Sequence, residues 1–112
     1  MAAIAAVRAQ APWPARVIVE AETDQEAEAA VAAGADGVLL DGFDPGDLTH
    51  LVPRLRRLER EQGRRVVLEA SGVQPEQLLA YASSGIDLIS TSAPITRSPW
   101  LDLSMRFEPD WV

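Results

Sequence analysis

The sequence predicts an α/β fold built on a parallel sheet, and three observations carry that prediction. Short apolar runs rich in β-branched residues ("RVIVE", "GVLLD", "RVVLE", "IDLIS") alternate strictly with helical patterns. The alternation repeats about every 20–25 residues, enough for a strand and its crossover helix. The runs are continuously apolar, as in strands covered on both faces.

Residues 2–10, "AAIAAVRAQ", read as a helix with Ile4 and Val7 on one face. Pro12 and Pro14 end it, and "APWPA" is a loop. Residues 16–22 form the first strand. Thr23 or Asp24 caps the second helix, acids fill its first turn, and Gly34 ends it. Residues 37–41 form the second strand. In the third helix, "DPGDLTHLVPRLRRLEREQG", Leu48, Leu51, Leu55 and Leu58 recur at helical spacing, with Gly63 as the stop. Pro53 is expected to kink this helix or mark its true start. Residues 65–69 form the third strand. "VQPEQLLAYASSG" is a fourth helix with Pro75 in its first turn. Residues 86–90 form the fourth strand, and "LDLSMRF" in the tail predicts a last one.

Composition narrows the function. The chain has 112 residues, 47% hydrophobic and 24% charged, and is read as one domain over residues 1–112. No apolar run approaches the ~18 residues of a membrane span, and "MAAIAAVRAQAPW" makes a poor signal peptide. Cysteine is absent, which excludes disulfides, thiolate metal sites and a cysteine nucleophile, and fits a cytoplasmic protein. A net charge of −7 argues against nucleic acid as the main partner. All ten basic residues are arginine.

The strands end in polar groups. "VIVEAET" places Glu20 at the end of an apolar run, "GVLLDG" places Asp41 there, and "VVLEASG" places Glu69 and Ser71. "STS" at residues 90–92 follows the fourth strand. In βα folds, ligands bind at the C-terminal ends of strands. A single acid there more often caps the next helix or solvates a turn, but several on adjacent strands point to one shared site. The "EASG" and "STSA" turns could offer backbone N–H groups to an anion, although short Gly/Ser turns also simply connect elements. His50 reads as a surface or packing histidine. Trp13, Trp100 and Trp111 lie in loop or tail segments, where anchoring is the commoner role. "RLRRLEREQGRR", with its interleaved acids, reads as a solvated helix face.

The order "VIVEAET", "AGADGVLLDGFDP", "VVLEASG", "YASSGIDLISTSAPITRSPWLDLSMRF" resembles the C-terminal portion of quinolinate phosphoribosyltransferase, the carboxylating nicotinate-nucleotide pyrophosphorylase family. The likeness runs from about residue 2 to residue 107. It implies a partial α/β barrel of the type II phosphoribosyltransferase kind, without the family's N-terminal sandwich domain and early barrel strands. It implies an enzyme of NAD biosynthesis that joins quinolinate to phosphoribosyl pyrophosphate, giving nicotinate mononucleotide, pyrophosphate and carbon dioxide. By the resemblance Glu20 and Asp41 are catalytic acids near the ribose and a Mg²⁺-pyrophosphate, and can contact the Mg²⁺. Ser71 and Gly72 form one phosphate-binding turn, and Ser92 and Ala93 a second.

Some positions differ from the family pattern. Val73 stands where the family has a second Gly, Gly42 where it has Asn, Ser92 where it has Gly, and Thr96 where it has His. "TSAP" resembles the molybdenum-transport-associated branch of the same fold, so the exact substrate stays open. The family's basic substrate ligands lie upstream of the matched segment. The chain is therefore expected to be inactive alone. The alternative reading is a non-catalytic assembly or binding module that keeps the fold. A half-barrel exposes an inner face, expected to be lined by Val19, Leu39, Val67 and Leu88. That face calls for a homo-oligomer or for pairing with the missing barrel half.

Overall fold

The computed structural model describes residues 2–108. Its elements follow the chain as α1 (Ala2–Gln10), β1 (Ile18–Ala21), α2 (Asp24–Ala32), β2 (Gly37–Leu40), α3 (Pro45–Glu61), β3 (Val67–Ala70), a 3-10 turn (Pro75–Gln77) leading into α4 (Leu78–Ala82), β4 (Leu88–Ile89) and α5 (Ala93–Thr96). The four strands form one parallel sheet in the order β1-β2-β3-β4. The sheet stays open, with β1 and β4 as its edges.

Local chemistry sets the helix limits. Thr23 Oγ1 accepts the Glu26 N–H at 3.2 Å, while Glu26 Oε2 accepts the Glu22 N–H at 2.9 Å. This reciprocal cap fixes the β1–α2 corner. α3 runs unbroken from Pro45, whose ring suits a first helical turn, through the exposed Pro53 to Glu61. Pro53 therefore does not mark its start. The fourth helix is shorter than expected. Pro75 opens a tight 3-10 turn and only Leu78–Ala82 is α-helical, before Ser83 and Ser84 fold their hydroxyls back onto the carbonyls of Leu79 and Tyr81.

α2, α3 and α4 form the layer that covers one sheet face. Val38, Leu40, Leu68, Ala70 and Ala21 point into a core completed by Val31, Leu48, Leu51 and Leu55. Each fully buried Leu contributes about 1.5–3 kcal/mol. Val19 also lies on this side, packed against the core, and not on the open face as expected. It precedes Glu20, and neighbours along a strand point to opposite faces. The open face carries Ile18, Gly37, Leu39, Val67 and Leu88, with Glu20 and Glu69 toward its upper end. An apolar trough of about 420 Å³ runs along it, lined by Ile18, Gly37, Val67, Leu88 and Glu69.

The tail departs from expectation. Residues 101–107 form no strand, and Leu101, Leu103, Met105 and Phe107 are all exposed. The alternating pattern is there, but no neighbouring strand among the described residues pairs with it, and a lone strand leaves its backbone groups to water. Trp13 and Trp100 are likewise exposed and anchor nothing among the described residues. Trp111 lies outside them.

Candidate functional site

The two ends of the sheet use carboxylates differently. At the N-terminal end, Asp36 precedes β2 and accepts the Val17 N–H at 2.8 Å, with Arg8 at 3.0 Å and Arg64 at 3.3 Å. Asp87 precedes β4 and accepts the Leu68 N–H at 2.8 Å, with Arg56 at 2.7 Å and Arg65 beside it. Each aspartate closes the free start of the preceding strand. The bond from Val17, then Arg8, holds the Asp36 carboxyl below the ordinary aspartate range. Burial raises the Asp87 carboxyl, but the bonds from Arg56 and Leu68 outweigh it and leave it lowered. These acids sit in matching segments, "GADGV" and "GIDLI", and their work is structural.

At the C-terminal end the acids have no such partners. Register puts Glu20, Leu39, Glu69 and Leu88 in one layer across the sheet. Two residues further along the chain, Glu22, Asp41, Ser71 and Ser90 form a second layer. Here the Asp41 N–H donates to Ala21 O at 3.0 Å, Ser71 N–H to Leu40 O at 3.1 Å and Ser90 N–H to Ala70 O at 2.9 Å. The expected acids thus occupy two layers, with Asp41 above Glu20 and Glu69. Carboxylate oxygens of Glu20, Glu22 and Asp41 lie within 4.8 Å of one another. Glu22, which the sequence sets two residues after Glu20 in "VIVEAET", joins this group although it is not among the expected site residues. Its signal was the two-residue spacing from Glu20, which puts both side chains on one strand face. Glu69 stands apart, half-buried, and accepts a hydrogen bond from Ser90 Oγ.

Two turns flank the acids. Gly42 and Gly72 follow Asp41 and Ser71 with φ of +74° and +70°, a left-handed geometry that turns the chain sharply off the sheet and that a β-carbon disfavours. The loop after Asp41 is pinned by Tyr81, whose buried hydroxyl donates to Phe43 O at 2.8 Å. Val73 N–H donates to Ser90 O at 3.2 Å, which ties the Ser71–Gly72 turn to the segment leading to Ser92. The Ala93 N–H is engaged by Thr91 Oγ1 at 3.2 Å, and Ser92 precedes the single turn of α5. His50 is exposed on α3, away from these groups in the chain.

Residues 1–106 match the family described as quinolinate phosphoribosyl transferase, C-terminal domain. The chain belongs to this family. Among curated relatives, the Synechocystis protein named "Probable nicotinate-nucleotide pyrophosphorylase [carboxylating]" is 39% identical over 105 residues, covering 93% of this chain and 34% of its own. The human nicotinate-nucleotide pyrophosphorylase [carboxylating] is 36% identical with the same coverage. Solved structures agree. The Francisella tularensis nicotinate-nucleotide pyrophosphorylase superposes with a TM-score of 0.66 at 31% identity, covering 81% of this chain and 30% of that one. NadC from Streptococcus pyogenes gives 0.69 at 29% identity, covering 95% and 35%. The chain thus spans about a third of the length of the family relatives it matches. Among its described residues, no helix is long and apolar enough to cross a membrane.

Proposed function

We propose that this chain forms the C-terminal barrel portion of a quinolinate phosphoribosyltransferase, and that it supplies one wall of the site that makes nicotinate mononucleotide. The observation that carries this reading is the group formed by Glu20, Glu22 and Asp41 beside the Ser71–Gly72 turn, in a chain that matches the family along residues 1–106. Glu20 and Asp41 face the ribose and stabilise the positive charge that grows on it as pyrophosphate leaves. Ser71, Gly72 and Ser92 hold the 5′-phosphate through backbone N–H groups and hydroxyls, and Ala93 joins them by exchanging Thr91 Oγ1 for a phosphate oxygen at its N–H.

The donor set fits Mg²⁺, a hard cation that takes carboxylate oxygens and keeps several waters. Glu20, Glu22 and Asp41 would hold it, and its charge would offset that of a pyrophosphate. The basic ligands for quinolinate and pyrophosphate come from the rest of the barrel and the sandwich domain. That remainder, or a second copy, covers the open face, where Ile18 and Leu88 are more than half exposed. The assembled enzyme is cytoplasmic and oligomeric.

The test is a chimera in which this chain replaces the corresponding C-terminal third of the Synechocystis relative. Nicotinate mononucleotide formation is expected. Glu20→Gln and Asp41→Asn should each lower kcat about a hundredfold or more, with smaller changes in KM. Near-normal kcat with a depressed melting temperature in both variants would show that these carboxylates serve only the fold.

A further inference from the structure

Backbone amides alone do not balance a phosphate dianion, so the distribution of cations bears on the two turns. Arg8, Arg64, Arg56 and Arg65 all engage acceptors at the N-terminal ends of the strands: Gly34 O, Ala35 O, Asp36, Val66 O and Asp87. Arg16 lies 3.7 Å from Asp36 at the same end. Arg54 pairs with Asp24 and Glu28 on the helical layer. Among the described residues that make an ion pair, Arg97 alone reaches the loop that follows the Ser71–Gly72 turn. Its Nη1 donates to Glu76 Oε1 at 2.6 Å and its Nη2 to Gln74 Oε1 at 2.7 Å. Gln74 in turn donates from Nε2 to Gly72 O at 3.5 Å. Arg97 also caps α5, its N–H donating to Ala93 O at 2.9 Å. Its backbone thus belongs to one turn and its guanidinium to the other.

We propose that Arg97 is the cationic ligand of the phosphate monoester at this site, and that Glu76 and Gln74 hold its guanidinium when no ligand is bound. The inference rests on the phosphate-turn reading above and adds the residue that balances the charge. Two guanidinium nitrogens are occupied by two acceptor oxygens from different side chains. A phosphate presents two oxygens to the same fork from one group. The ion pair it displaces is weak, because Arg97 and Glu76 are 50% and 67% exposed. Glu76 therefore acts as an internal carboxylate that competes with the ligand.

The experiment is a titration of the isotope-labelled chain with inorganic phosphate, following the amide resonances of Gly72 and Ser92 at constant ionic strength with chloride as control. Phosphate is expected to move both resonances. Arg97→Gln should weaken the binding about tenfold, equivalent to about 1.4 kcal/mol. Arg97→Lys should fall between, and Glu76→Gln, which frees the guanidinium, should tighten binding. Shifts at Gly72 with equal affinity in the parent, Arg97→Gln and Glu76→Gln would overturn the role of Arg97 and leave the turns intact as an anion site. Absence of phosphate-specific shifts in every variant would overturn both readings. The dispersion of the amide spectrum reports whether each variant is folded, and the gain expected from Glu76→Gln cannot arise from unfolding.

Discussion

Glu22→Gln separates a ligand-binding carboxylate from a structural one. Oxygens of Glu20, Glu22 and Asp41 lie within 4.8 Å of one another. Two unit charges at that distance repel by about 0.9 kcal/mol in water. Glu22 takes part in two such pairs, so neutralising it relieves about 1.7 kcal/mol before screening. Salt with a Debye length of about 8 Å reduces this to about 1 kcal/mol, a suitable discount for exposed groups. For a domain of this size that is a rise of about 4 °C in Tm. The Glu22 N–H keeps its bond to Glu26 in the variant, so the helix cap is not disturbed. Mg²⁺ should reverse the order of benefit. The parent gains stability as the cation binds, and the variant, with one oxygen ligand fewer, gains less. The assay is thermal melting with and without MgCl₂ at matched ionic strength. A lower Tm for Glu22→Gln in the absence of divalent cation would refute the reasoning, because it would mean that the carboxylate makes a stabilising contact. Equal Mg²⁺ responses in the two proteins would remove Glu22 from the cation site.

Asp36 should dominate part of the acid response. Its folded pKa lies below the unfolded value of about 3.9, so its contribution is present above that pH and is lost as pH falls through the folded pKa. Urea midpoints of the parent and Asp36→Asn should differ at neutral pH and converge in acid, and a constant gap would contradict this. Tyr81→Phe leaves the buried Phe43 carbonyl without its 2.8 Å donor and should lower stability by about 1–2 kcal/mol, read from chemical denaturation; an unchanged midpoint would mean that water replaces the hydroxyl. The isolated chain should form no nicotinate mononucleotide from quinolinate, phosphoribosyl pyrophosphate and Mg²⁺, as product chromatography would show. Turnover by the pure chain would mean that the basic ligands are not needed from elsewhere.

Most of the fold was legible because each signal is local. Strand runs, glycine stops and the Thr23 cap are decided by neighbours in the chain, and they fall within a residue or two of expectation. What failed depended on partners. "LDLSMRF" has a strand's alternation, but a strand needs another edge to bond with. "QPEQLLAYASSG" has a helix's apolar spacing, yet Pro75 and the two serines compete for its ends. In the site, Glu20, Asp41 and Ser71 were readable as polar groups closing apolar runs. Glu22 closes the same predicted run, but an acid directly before Thr23 looks like part of the helix cap, and in the structure it accordingly lies just past β1. Arg97 was hidden because nothing in its spacing shows that its guanidinium returns to Gln74 and Glu76.

Strand order along the sheet is also strand order along the chain. Among the described residues, each strand therefore bonds only to the strands just before and after it in sequence, with partners 19 residues apart in Ile18↔Gly37, 30 in Gly37↔Val67 and 19 in Glu69↔Leu88. No pairing waits for a distant segment to arrive. Assembly can then proceed unit by unit, with each βα pair docking on the one already formed, in the manner of repeat proteins with nearest-neighbour energetics. Loss of an end unit would leave the remaining strand pairings in place. A stretch about a third as long as its relatives can thus hold a continuous core, and growth at the free edge of β1 or β4 would extend the sheet without repacking what is already in place.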